Sequence, residues 1–286
     1  MLISDIIEKV KNYHNGTYNG EKIKEETTRD KILYGNPEQE CTGIITTCWA
    51  TVDVIKKAIE TNANLIICHE ALFWNHGDHQ EWLQEQANES YKRKTALLDQ
   101  GNIVVWRDHD YIHSGIPMED GSYKDGIFYG FAKVLGWENY VYDNDNFKYM
   151  HFEIPEMTTE QLASFLIDKL NLNGVKVIGR HDSKVTKVRI PMHVFGDAND
   201  TITEAEKDDI NCFLTMELID FTLMEYVKDT SMLGIDRSII GMGHFNLEEP
   251  GMQYMVEWLP DAIDQDIPVQ FVQSGDNYTY ITKSKG

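Results

Sequence analysis

A histidine and a glutamate four residues apart, His244 and Glu248, stand in the run Gly243-His244-Phe245-Asn246-Leu247-Glu248. On a helix, positions i and i+4 face the same way, so one imidazole and one carboxylate can converge on one point, as a pair of metal ligands does. Taken alone, the pair reads equally as a surface histidine with an acidic residue in the first turn of a helix, where the dipole favours it. Two upstream groups shift the balance. His69-Glu70 ends the apolar run Asn64-Leu65-Ile66-Ile67-Cys68, and His109 and His113 follow Ile103-Val104-Val105-Trp106. Imidazole and carboxylate together suit Zn, Mn, Fe or Ni, and the five groups His69, Glu70, His113, His244 and Glu248 exceed what one tetrahedral ion takes. Two divalent ions sharing a bridging carboxylate, Glu248 or Glu70, account for the excess. Such a pair brings the pKa of a bound water near neutrality and polarises a carbonyl, imine or phosphoryl group for hydrolysis.

These residues need elements that bring them together. The sequence reads as a strand over 41–47, a helix over 51–61 with Val54, Ile55 and Ala58 on one face, and a strand over 64–68, which is a β-α-β unit with a right-handed crossover. A helix over 90–100, a strand over 103–106 and a helix over 125–135 continue the alternation. Residues 147–190 differ: a strand closed by Pro155, an amphipathic helix over 158–170 and a short strand over 175–178 form a joining β-α-β segment or small insertion. The α/β rhythm then resumes with strands over 187–195, 211–215 and 238–241 and helices over 203–208, 220–228 and 249–259. The fold class is therefore α/β, with two similar halves of mostly parallel sheet flanked by helices, residues 1–146 and 191–286. The second half completes the metal site. In such sheets ligands bind outside the C-terminal ends of parallel strands, where all the candidate residues fall. His109 is the best supporting or proton-transfer group. Glu217, after Leu214-Thr215, could bind substrate, brace a ligand or cap a helix.

Other chemistries fail on spacing or composition. His69-Glu70-Ala71-Leu72-Phe73 has phenylalanine where a zincin helix needs its second histidine, and Gly241-Met242-Gly243 lacks the third glycine of a dinucleotide loop. No Gly-x-Ser-x-Gly elbow occurs. The 286 residues are 42% hydrophobic and 26% charged, a globular composition, and Asp+Glu outnumber Lys+Arg by 47 to 26. A net charge of -21 argues against nucleic-acid partners and anionic membrane surfaces. Cys41, Cys48, Cys68 and Cys212 contain no Cys-x-x-Cys pair and read as free thiols of a reducing compartment. No apolar run reaches membrane-spanning length, so the expected location is the cytoplasm.

Several motifs, in order, resemble the Nif-three-like dinuclear metal-centre family, whose members often carry the name GTP cyclohydrolase I type 2 homologue. They are Gly43-Ile44-Ile45 through Asp53, His69-Glu70-Ala71-Leu72-Phe73, His109-x-x-x-His113, Asp125-Gly126 with Leu135-Gly136, Thr215-Met216-Glu217 and Gly243-His244-x-x-x-Glu248. The resemblance implies a metal-dependent hydrolase acting on a nucleotide or related small molecule, in a ring-shaped homohexamer. The alternative is a non-catalytic metal-binding regulatory or scaffold protein that also forms a ring. Two departures stand out: the family's usual His-His is here His69-Glu70, and its His-x-x-x-Asp is His109-x-x-x-His113. Together they exchange one imidazole and one carboxylate between two positions, keeping ligand count and charge. The family's Thr-Gly-Glu glycine is Met216, and the long inserted domain of some members is absent or reduced to 147–190.

Overall fold

The computed structural model describes residues 1–282 except 19, 143–145 and 192. The chain divides into two compact units, Met1–Gly130 with Gly251–Ser274 and Phe131–Pro250 with Gly275–Gly286.

The first unit carries a five-stranded sheet in the order Val269–Phe271, Ile44–Thr47, Leu65–Cys68, Val104–Arg107, Ile32–Tyr34. All neighbours are parallel except the last pair. Ile44–Thr47, Leu65–Cys68 and Val104–Arg107 are buried at every residue. That is why they read as continuous apolar runs without alternation: a parallel strand covered on both faces has no solvent side. Helix Val52–Glu60 begins where the Thr51 hydroxyl accepts a hydrogen bond from the Val54 N–H, and it buries Val54, Ile55 and Ala58 against the sheet. Each such aliphatic side chain contributes about 1.5–3 kcal/mol.

The second unit repeats the plan. Its sheet runs Lys176–Ile178, Ser238–Gly241, Cys212–Thr215, Lys184–Arg189, His151–Thr158, with the three inner strands parallel and both edges antiparallel. The mostly parallel α/β reading therefore holds in each unit. Residues 147–190 supply both edge strands and one inner strand of this sheet. The Thr159–Leu170 helix starts from a capping box between Thr158 and Gln161 and ends on Asn171 in the left-handed conformation.

Among the element boundaries that differ from the sequence reading, two lie beside the candidate site. The strand expected over 187–195 is Lys184–Arg189, and residue 192 of that reading lies outside the described residues. The last helix, expected over 249–259, is His244–Ile263. The helix opens at Gly243, whose φ of +95° is open to glycine and whose carbonyl accepts from Leu247. Among the described residues no helix is long and apolar enough to cross a membrane.

Candidate metal centre

In the first unit, His69 leaves the Leu65–Cys68 strand, His109 immediately precedes the short helix Asp110–Ser114 that follows Val104–Arg107, and His113 lies in that helix's last turn. The turn after Cys68 is pinned because the His69 and Glu70 N–H groups both donate to the Cys48 carbonyl, at 3.0 and 2.8 Å. The three rings meet with centroids 4.5 Å apart for His69 and His109, 5.0 Å for His69 and His113 and 5.3 Å for His109 and His113. Each offers a ring nitrogen within 4.8 Å of the others.

Hydrogen bonds decide which nitrogen. His69 Nδ1 lies 3.0 Å from the Asp108 carbonyl oxygen, which can only accept, so Nδ1 carries the proton and Nε2 the lone pair. The Asp108 side chain is itself held by buried His14 at 3.0 Å. His109 Nδ1 donates to Asp110 and His113 Nδ1 to Asp125, each at 2.9 Å. A second ring nitrogen tied to a carboxylate or carbonyl is the usual support of a ligating imidazole. Burial, followed by the neighbouring His109 and His113, holds the His69 ring well below the ordinary histidine range, so it is neutral and ligand-ready at pH 7. Asp30 organises the loop, its carboxylate accepting from the His109, Asp110 and Tyr111 N–H groups. Burial and then the Asp108 charge push that carboxyl up to about 7.

Glu70 is placed differently. Its carboxylate is 3.0 Å from Nη2 of Arg107, a guanidinium with no exposed side-chain surface that also pairs with Asp78 at 2.9 Å and donates to the His69 and His76 carbonyls. A buried guanidinium requires such counter-charges, and Glu70 supplies one while also offering an oxygen within 4.8 Å of a His69 ring nitrogen.

In the second unit Glu217 follows Cys212–Thr215 and receives two imidazoles, His244 Nδ1 at 2.6 Å on one oxygen and His193 Nδ1 at 3.0 Å on the other. Burial pushes the Glu217 carboxyl up, but the bonds from His244 and His193 outweigh it and hold it below the usual range. His244 Nε2 is 3.2 Å from Glu248, so the i, i+4 pairing exists. The structure thus brings His69, His109 and His113 together in the first unit and His244, Glu248 and Glu217 in the second. Each unit holds donors that suit a divalent ion: three anchored imidazoles in the first, and the imidazoles His193 and His244 with the Glu217 carboxylate in the second. Sequence reasoning missed His193, Arg107, Asp30 and Asp108. The strand-end rule that found Glu217 would also have found His193, four residues beyond Arg189; the others carry no spacing signal.

Fold and donor sets together define an α/β protein with candidate metal sites built at the C-terminal ends of parallel strands. Over residues 6–277 the chain matches the Duf34/NIF3 (NGG1p interacting factor 3) model, and it belongs to that family. A relative from Clostridium acetobutylicum called GTP cyclohydrolase 1 type 2 homolog is 24% identical over 249 residues, 84% of this chain and 85% of its own. One of the same name from Clostridium perfringens is 24% identical over 255 residues, 88% and 90% of the two chains. Among solved structures, a Staphylococcus aureus hypothetical protein aligns over 98% of this chain and 99% of its own with a TM-score of 0.66 at 18% identity. A Bacillus cereus protein related to NIF3 aligns over the same shares with a TM-score of 0.63 at 16% identity. These structural likenesses show the fold.

Proposed function

We propose that this chain is a divalent-metal-dependent hydrolase, cyclohydrolase-like, acting on a nucleotide or related small molecule in a reducing cytoplasmic setting. The observation that carries it is the set of three imidazoles in the first unit, each with Nδ1 anchored and the most buried one held neutral. Two divalent ions are proposed in all, with His69, Glu70 and His113 as donors from the first unit and His244 and Glu248 from the second, and His109 beside them. Glu70 keeps its proposed place as a ligand: its carboxylate meets Arg107 at 3.0 Å and offers an oxygen within 4.8 Å of a His69 ring nitrogen. When bound, the ions would supply an acidified water and an electrophile for the scissile group.

The protein's own groups orient and exclude. Asp125, Asp110 and the Asp108 carbonyl fix the three rings. The buried Arg107 guanidinium holds the Glu70 and Asp78 carboxylates, and His109, the more exposed ring beside His69, is available for proton transfer once substrate is in place. Support for the nucleotide class comes from the names of the relatives, and support for a homohexameric ring from the family resemblance.

The test is elemental analysis of protein purified without chelator, followed by metal-dependent turnover of a panel of purine nucleotides. Bound metal, with turnover that is lost in His69→Ala and restored by divalent ions in the parent, is the expected result. Metal without turnover would favour the regulatory or scaffold reading. Undiminished metal in a folded His69→Ala protein would sink the first-unit site.

A further inference from the structure

We infer that Gly243, Phe245, Asn246, Asn277 and Tyr278 form a subsite, contained within the second unit, for one planar nitrogen heteroaromatic ring system that carries an N–H donor. The inference rests on the small-molecule reading above and deepens it, since it names the part of the ligand that is held beside His244 and outside the metal donors.

Glycine at 243 makes the space. It opens the His244–Ile263 helix with its φ of +95°, and a Cβ there would lie 3.4 Å from the Tyr278 ring and 3.5 Å from Asn246 Nδ2. Gly243, His244, Phe245, Asn246, Asn277 and Tyr278 line a cavity of about 160 Å³. A pocket for a whole drug-sized ligand has about 300–1,000 Å³, so this one takes a single ring system and leaves the rest of the ligand outside it. Two of the lining residues are aromatic, Phe245 and Tyr278, and Tyr278 is 50% exposed. A half-open ring fixed in place is a surface on which another flat ring can stack.

The segment that carries Tyr278 is tied down on both sides. Asn173, beyond the Thr159–Leu170 helix, donates its N–H to Asp276 at 3.0 Å and its side-chain amide to the Tyr278 carbonyl at 2.7 Å. Asp276 also accepts from the Tyr278 N–H at 2.9 Å, and the Tyr280 hydroxyl donates to the Gly174 carbonyl at 2.9 Å. The Lys176 ammonium stands 5.6 Å from the Tyr278 ring centre, a cation–π contact that steadies the ring. The stacking surface therefore exists before a ligand arrives, which lowers the ordering cost of binding.

The polar requirement comes from Asn246, which lines the cavity and is 6% exposed. Its Nδ2 is committed to the Met242 carbonyl at 2.8 Å and to the Asp276 carboxylate at 3.4 Å. Both partners can only accept, so the amide orientation is settled, and Oδ1 is left as an acceptor with no donor among the described residues. A nearly buried carbonyl oxygen on a cavity wall calls for an N–H from whatever fills the cavity.

The experiment is calorimetric binding of adenosine, purine riboside and ribose to the full chain, with and without divalent metal, and with circular dichroism to establish folding. None of the three carries a phosphate for a metal to hold. Adenosine should bind in both conditions, about 2–10-fold more tightly than purine riboside, which has the same rings and no N–H on the base edge. Ribose should not bind. Tyr278→Ala should weaken adenosine by about 5–150-fold, and Tyr278→Phe, which keeps the stacking face, should retain it. Tyr278 is half exposed, so its alanine variant keeps the fold, and the wild-type comparison of adenosine with ribose decides the matter without any variant. The subsite is overturned if wild type does not bind adenosine, holds it no better than ribose or purine riboside, or loses nothing in a folded Tyr278→Ala protein. Adenosine bound as expected without metal-dependent turnover of any nucleotide would instead refute the hydrolase reading and leave the subsite standing.

Discussion

Asp125 serves two structures at once: one carboxylate oxygen accepts from the Ile127 and Phe128 N–H groups at the start of the Gly126–Leu135 helix, and the other holds His113 Nδ1. Asparagine can keep the helix cap while withdrawing the charge behind the imidazole. Asp125→Asn should therefore change the melting temperature little and weaken first-unit metal affinity by roughly 10–100-fold in competition against a chelator; equal affinity would remove Asp125 from the site. Lys94 poses a different residue-scale question. The residue is 3% exposed, and its ammonium donates to the Leu72 carbonyl at 2.7 Å and lies 5.5 Å from the Trp49 and Phe73 ring centres. Burial lowers its pKa to about 8 from 10.5. A base depressed in the folded state releases its proton first there, so its burial cost is borne in full below pH 8 and relieved as pH rises towards 10.5. Lys94→Met should be the more stable protein at pH 7, with its advantage shrinking by up to about 2 kcal/mol by pH 9.5 in urea unfolding. Buried Cys68 and Cys212, each pushed up to about 12 by burial, act in the opposite sense in both proteins and cancel in the difference. A pH-independent difference would refute the assignment.

At the scale of elements, the close approach of two helices in the first unit rests on an absent side chain. A Cβ on Gly251 would lie 2.5 Å from the Ile127 Cα and 2.8 Å from its carbonyl oxygen. Helix propensity alone favours alanine over glycine by about 1 kcal/mol. The clash reverses the sign, and Gly251→Ala should destabilise by about 1–3 kcal/mol in chemical denaturation. A gain in stability would show that the helices can separate without cost. The Asp110–Ser114 helix depends on polar chemistry instead: it is too short to be stable alone, and Asp30 satisfies the N–H groups that its first turn leaves open.

Taken as a whole molecule, the chain folds around buried donor groups of high cost, with a net charge of -21 that works against compaction. Ions that bind the folded state alone stabilise it by mass action, about 2.7 kcal/mol at one hundred times the dissociation constant. Dialysis against a chelator should thus lower the melting temperature, and Zn²⁺ or Co²⁺ should restore it, whereas Mg²⁺ should restore little. Identical melting curves with and without metal would contradict both proposed ions.

The α/β alternation, the parallel strands and the placement of His69, His109, His113, Glu217 and His244 after strand ends were legible in the sequence, because hydrophobic period and strand-end position are local properties. The i, i+4 pairing of His244 with Glu248 was legible for the same reason. Tertiary structure alone decided which nitrogen of each imidazole faces inward, that Glu70 meets Arg107, and that His193 joins Glu217 from 24 residues away. Asp30 reaches His109 across 79 residues in the same way. Spacing along a chain sets what lies beside a residue on its own helix or strand. The partner that fixes a tautomer or neutralises a buried charge comes from another element, and only packing brings it within hydrogen-bond reach.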